Sequence, residues 1–365
     1  MNEFGSWWMV GWIVSNTLVG GMIAVLAIAA DRWARRPALA HVLWVLVLIK
    51  LLTPPIVTLP IAVDPSRLTW LSNQWIGHNR VADSRDDTRM SSLAIAMGTA
   101  EMPRQPRGSR SMVITIASLW VAGTLLLSLW IASSARRLNR LIDRNGRLDL
   151  AATAQVAEMS AGRRAPPVWL VTAVVSPMLV GVGKRTRIVF PAALWSTLDS
   201  DSRRLLLVHE LEHWRRCDPW VRYLEAMAWV VLWWHPLVWI ARQQIEDCEE
   251  RCCDLAAARG TGDSPRLYAE AILTTLDFLS EPRHLPASIG KRPIASALGR
   301  VPQIEQRLRD IMSLEGRSQL GVSSRCVVAM MLLLLPLHPA LDFNRGIDHD
   351  KGTAVAKRLS IFRNF

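Results

Sequence analysis

The stretch His209-Glu210-Leu211-Glu212-His213 decides the reading of this chain. Two histidines four apart on a helix leave the same face, one turn from each other. That separation lets two imidazole nitrogens meet one zinc ion. Glu210, beside the first histidine, can then reach a water at the metal and take its proton. The pattern is H-E-x-x-H, the signature of zinc peptidases. A match this short gains weight only from its surroundings, so the rest of the chain must supply a third ligand and a fold.

The composition points to a membrane. Half of the 365 residues are hydrophobic, and the mean hydropathy of +0.18 is high for a soluble protein of this size. Seventeen Trp stand against two Tyr, and Trp favours membrane interfaces. The net charge of +12 could serve nucleic acid or an anionic membrane. The arginines cluster beside apolar runs and no nucleic-acid motif is present, so the charge follows the positive-inside pattern. The five cysteines (217, 248, 252, 253 and 326) form no C-x-x-C pair. They read as reduced, small apolar residues on a cytoplasmic face rather than metal ligands.

Apolar runs at 7–30, 40–62, 112–133 and 326–341 predict about four transmembrane helices. Asp31 to Arg36 follows the first run, and Arg136, Arg137, Arg140 and Arg144 follow the third. Positive-inside logic puts these ends in the cytoplasm of a multi-pass membrane protein. Lys50 falls inside the second run, where it either snorkels or faces other helices. The expected domains are 1–134, three spans with an external loop at 63–111; 135–320, a cytoplasmic domain; and 321–365, the last span and a short tail.

Within 135–320 the pattern is α+β. Helix is expected near 148–160. Strands are expected at 168–175 and 187–190, and the histidine helix spans 203–216 after caps at 199–202. Helices follow at 246–258, 265–280 and 302–314, with a linker at 281–300. The apolar run 221–241 looks like a span by hydropathy. A single crossing there would put everything after it on the opposite face from His209. It therefore reads as a buried or interfacial helix kinked at His235-Pro236.

A catalytic zinc keeps three protein ligands and one open position. The candidates for the third ligand are Glu225, His235, Glu246, Glu249 and Glu250. Glu250 is favoured because Asp254 lies one turn further on the same face. There it can accept the second ring N–H of a ligating histidine. Glu246 and Glu249 then read as surface charges, and His235 as a satisfied core residue.

Several runs together resemble the membrane metallopeptidases of the BlaR/MecR type. They are Leu48-Ile-Lys-Leu-Leu-Thr-Pro-Pro55, Ser176-Pro177 before Ile188-Val-Phe-Pro191, Arg216-Cys-Asp218 after the histidine helix, Trp234-His-Pro-Leu-Val-Trp239, and Glu250-Arg-Cys-Cys-Asp254. Cys before Asp254 distinguishes this pattern from the prenyl-protein and heat-shock membrane peptidases. The resemblance implies a gluzincin-like zinc peptidase domain set among transmembrane helices of a bacterial inner membrane, with the peptidase domain cytoplasmic. It places Zn2+ on His209, His213 and Glu250, the catalytic carboxylate on Glu210 and the supporting acid on Asp254. Asp218 matches a family position that reads by default as a cap or salt bridge. Residues 342–365 hold no Ser-x-x-Lys, so β-lactam sensing is not implied.

The expected activity is regulatory cleavage of a cytoplasmic protein, such as a winged-helix repressor, or of the chain itself. The alternative is a non-catalytic membrane transducer or scaffold with a structural or vestigial zinc site. The expected partners are the bilayer and a protein substrate, with a homodimer compatible and no direct nucleic-acid contact.

Overall fold

The structure is a computed structural model that describes residues 3–54, 57–62, 108–160, 162, 164–173, 175–260, 265–280, 301–314, 320–335 and 337–342. Most of the external loop 63–111, the linker 281–300 and the tail beyond 342 lie outside the described residues.

The chain is mostly helical with a small mixed sheet. It opens with α1 (Glu3–Arg32), α2 (Pro37–Leu52), β1 (Val57–Ala62) and the long α3 (Gly108–Asn145). Next come β2 (Gly146–Leu148), α4 (Leu150–Met159), β3 (Val168–Val171), β4 (Met178–Val180), β5 (Arg187–Pro191) and α5 (Ala192–Thr197). The rest is α6 (Ser200–Arg215), α7 (Asp218–Val231), α8 (Pro236–Gly260), α9 (Pro265–Ser280), α10 (Val301–Ser313), α11 (Val322–Leu334) and β6 (Leu337–Asp342).

Among the described residues, two helices are long and apolar enough to cross a membrane, Trp12–Arg32 and Ser111–Asn145. The other two predicted spans are only partly helical. The run 40–62 is helical as far as Leu52, then Thr53 is extended and β1 follows. Pro54-Pro55 explains this, since a residue before proline is pushed out of the helical region. The run 326–341 likewise ends its helix at Leu334 and continues as β6. β1 and β6 pair in parallel, Val57 beside Leu337 through Ala62 beside Asp342. They belong to one compact unit (1–11, 55–122 and 337–365), and the cores and candidate site described below lie in the other (12–54 and 123–336).

That larger unit holds two main cores. In the first, Leu43, Trp44 and Leu48 of α2 pack with Ala27 of α1, Ala228 of α7, and Val238 and Ile245 of α8. The second joins Phe190 of β5, Leu207 and Leu211 of α6, Tyr268 and Ile272 of α9, and Ile311 of α10. α8 serves both: Ile245 and Cys248 lie in the first core, Ala257 and Ala258 in the second. Lys50 is fully buried and its Nζ donates to the Leu335 carbonyl at 2.8 Å, so it faces the helices rather than snorkelling.

The segment 221–241 is not one kinked helix. α7 ends at Val231, Leu232–His235 turn, and α8 restarts at Pro236, a residue suited to a helix's first turn. The two helices run antiparallel as a hairpin, with Arg222 of α7 meeting Glu249 and Arg242 of α8 stacking on Trp229 at 4.3 Å. His235 at the tip accepts from or donates to Thr17 Oγ1 at 2.9 Å, the satisfied buried histidine expected. Because the hairpin reverses the chain, Glu250 returns to the end where His209 lies.

The sheet order is β2-β3-β5-β4. β3 and β5 are parallel, and β4 is an antiparallel edge strand. Gly181, at φ 88, makes the turn after β4, where a Cβ would collide with the Arg185 carbonyl. Asp199 caps α6, its carboxylate accepting from Ser202 N–H at 2.8 Å.

Candidate metal centre

α6, α7, α8, α9 and α10 each bring a side chain to one buried point. His209 and His213, four apart on α6, place their Nε2 atoms 3.2 Å from each other. The Glu250 carboxylate, on α8, lies 3.6 Å from each of these nitrogens. These three residues form a group with metal-ligand spacing. Zinc bonds of about 2.0–2.1 Å at a tetrahedral angle would separate two nitrogens by ~3.3 Å. The observed spacing fits such an ion.

The outer ring nitrogens show why a cation belongs there. His213 Nδ1 donates to Asp218 Oδ2 at 2.8 Å. His209 Nδ1 meets the Tyr268 hydroxyl at 2.7 Å and Asp254 Oδ1 at 3.2 Å, while Tyr268 donates to Asp254 at 2.8 Å. These partners assign the N–H of both rings to Nδ1. With the rings neutral, both Nε2 atoms then offer lone pairs toward the Glu250 carboxylate, a donor set that suits a cation. A positive charge among these three atoms, a bound cation or a proton on His213, offsets their mutual repulsion.

The supporting acids are held in turn. Arg307 of α10 donates to both oxygens of Asp254, at 2.7 and 2.9 Å, and reaches Glu250 Oε2 at 3.1 Å. Burial opposes charge on Asp254, but Arg307 and the bonded His209 hold its carboxyl well below the usual range. Burial also opposes charge on Glu250, and Arg307 with the two histidines lowers it. Burial disfavours charge on His213 too, yet Cys253, Asp218 and Glu250 together raise it well above an ordinary imidazole.

Glu210 differs from the other acids. It is buried, lines the cleft, and makes no hydrogen bond among the described residues. Burial raises its pKa above the ordinary glutamate value, opposed only partly by the histidines. A raised, unpartnered carboxylate beside a cation site is suited to accepting a proton.

The cleft has a volume of about 1350 Å3. The edge strand β4 borders it through Met178 and Leu179, with Leu206, Ile272 and Leu276 on an apolar side. Charged residues of α1, α8 and α10 line it as well.

The sequence-predicted residues His209, Glu210, His213, Glu250 and Asp254 thus meet in one place. Glu225 and His235 lie elsewhere, bound to Arg222 and Thr17. Glu246 is exposed as expected, but Glu249 is not a surface charge. It is fully buried between His41 and Arg222, because its helix face points into the α2–α7 packing. Cys253 lies near His213 and Asp218, where burial pushes its thiol up to about 12.

Tyr268 and Arg307 are not named by the sequence reading, and Asp218 is read there only as a cap or salt bridge; it pairs with His213 and with Arg216. Asp218 follows Cys217, whose φ of 63 turns the chain so that the first residue of α7 backs onto His213. Its only signal was the run Arg216-Cys-Asp218. Tyr268 and Arg307 stand 59 and 53 residues from their partners and carry no local motif.

A family model described as BlaR1 peptidase M56 matches residues 7–300. Among curated proteins, the regulatory protein BlaR1 of Bacillus licheniformis is 32% identical over 99 residues, which is 27% of this chain. The match spans only 16% of that relative's length.

Proposed function

Because this chain belongs to the BlaR1 peptidase family M56, we propose that it is a membrane-embedded zinc endopeptidase that cleaves a regulatory protein. The observation that carries the reading is the convergence of two Nε2 atoms and the Glu250 carboxylate beside an unpartnered, buried Glu210. His209, His213 and Glu250 would hold the ion. When bound, zinc supplies a Lewis acid for the scissile carbonyl and lowers the pKa of a water.

The chain's own residues do the rest. Glu210 removes a proton from the attacking water and later delivers it to the departing amine nitrogen. Asp218 and Asp254 keep both imidazoles in the tautomer that offers Nε2 inward. β4 offers its free edge to an extended substrate backbone, which would align a peptide along the cleft. A structural ion would take four protein ligands; three converge among the described residues, and a buried general base has no use in such a site.

Membrane embedding rests on α1 and α3. Along α3, Met112, Ile116, Leu119, Leu126 and Trp130 are all exposed, an apolar surface that lipid would cover. Arginines close the same ends of both helices, at Arg32 and at Arg136 and Arg137. The hairpin tip meets Thr17 of α1 and Gly123 and Thr124 of α3, roughly 20 Å along each helix from these arginines. The α7–α8 hairpin therefore enters the apolar layer and returns, with the metal site on the cytoplasmic side. α2, largely buried among its neighbours, and α11 complete a four-helix set, and the bilayer is the partner of its lipid-facing helices. The substrate class in this reading is a cytoplasmic protein such as a winged-helix repressor, or the chain itself, with a homodimer compatible and no nucleic acid bound.

The full chain in lipid nanodiscs should hydrolyse casein, lose this activity to a zinc chelator and regain it with added zinc. Hydrolysis unaffected by chelation, or absent with one zinc bound, overturns the reading.

A further inference from the structure

Three consecutive residues of α8 reach three different parts of the molecule. Glu249 accepts from Arg222 of α7 at 2.6 Å and meets His41 Nε2 of α2 at 3.2 Å. Glu250 faces the two histidines and Arg307. Arg251 donates to Asp31 of α1 at 2.6 Å and to Asp310 of α10 at 2.7 Å. Successive helix residues point about 100° apart. Glu249 and Arg251 therefore brace Glu250 from both flanks, and α8 cannot rotate about its axis without breaking one of these pairs.

Both outer grips come from one place. Asp31 is the penultimate residue of α1 and His41 lies in the second turn of α2, so they flank the α1–α2 connection. Glu249 and Arg251 are buried or nearly so, where a broken ion pair leaves an uncompensated charge. Asp310 lies one turn after Arg307, so the Arg251 grip also fixes the helix whose guanidinium holds Glu250 and Asp254.

Resting on the zinc-peptidase reading, we propose that Asp31 and His41 are positioning residues for the metal ligand Glu250. The α1–α2 junction thereby sets the ion's affinity. A shift of either apolar helix would be felt as displacement of the third ligand. His41, Asp218 and Glu249 also bring donor atoms within 4.8 Å of one another. Arg222 on Glu249 and Arg216 near Asp218 already supply positive charge there, so this group is an ion-pair network and not a second ion site.

The test is zinc affinity of the full chain in nanodiscs, measured by competition with a fluorescent chelator. Asp31→Asn and His41→Ala should each weaken zinc about ten-fold, the low end for partners behind a ligand. His41→Gln keeps a donor for Glu249 and should restore most of the affinity. Lys50→Met, which removes a buried grip far from this turn, should lower the unfolding midpoint and leave zinc affinity unchanged. Wild-type affinity in both Asp31→Asn and His41→Ala overturns the proposal while the peptidase reading stands. Equal losses in His41→Gln and Lys50→Met also overturn it, by showing a general effect of loosened packing. A wild-type chain that binds no zinc, or two equivalents, overturns it together with the site as described.

Discussion

His213 Nδ1 donates to Asp218 Oδ2 at 2.8 Å, and this contact depends on Cys217 holding a left-handed φ of 63. Asp218 is nearly fully buried, so the bond is shielded from water. Asp218→Ala should weaken zinc by roughly 10- to 100-fold, and Asp218→Asn by less, since its amide oxygen still accepts. Chelator competition on the two variants measures the difference. Equal affinity in Asp218→Ala and wild type would show that the ring is oriented by other groups.

Glu210 predicts a cost that disappears on mutation. Its folded pKa is raised, so the folded state prefers the protonated acid. The ion-free protein therefore loses stability as pH rises from the ordinary glutamate value of 4.5 through the raised one. Ion-free Glu210→Gln carries no such group. It should match wild type below about pH 4.5 and become the more stable protein as pH rises. Denaturation midpoints across pH, read for both proteins after chelation, give the answer. A gap that shrinks with rising pH contradicts the assignment.

Arg307 predicts the opposite sign. It satisfies both oxygens of Asp254, a carboxylate almost wholly buried, and one of Glu250. Arg307→Ala leaves two acids close together without their cation and should cost about 3–5 kcal/mol. Arg307→Lys cannot form the paired bonds and should recover only part of it. Urea unfolding of the ion-free protein measures this loss, and a change under about 1 kcal/mol would count against the ion-pair account.

Gly123 tests the seat of the hairpin. A Cβ at this position would stand 2.9 Å from the Trp233 indole. Gly123→Leu should force the hairpin tip away from α3, with an overpacking cost of about 1–3 kcal/mol. Trp fluorescence and the unfolding midpoint report it. An unchanged midpoint would place Trp233 away from α3.

The metal-binding motif was legible because its chemistry is local. His209, Glu210 and His213 sit within one helical turn and a half, and Glu250 and Asp254 repeat that spacing. Arg307, Tyr268 and the role of Glu249 were not legible, since each is defined by a helix packed against it from far along the chain. The segment 221–241 shows the limit of hydropathy in another way. Its apolar content is read as one kinked helix, but the break at Leu232–His235 makes it two antiparallel helices. The runs 40–62 and 326–341 were overextended because hydropathy does not register where proline ends a helix.

The central claim is that Glu210 drives peptide hydrolysis at this site, and the direct measurement is the set of new protein N-termini in cells producing wild type or Glu210→Gln. Both proteins should bind zinc equally. The account predicts that wild type generates termini that Glu210→Gln does not, with the loss of general-base catalysis slowing cleavage by about 10^2- to 10^4-fold. The same termini at the same abundance in both cells would contradict it.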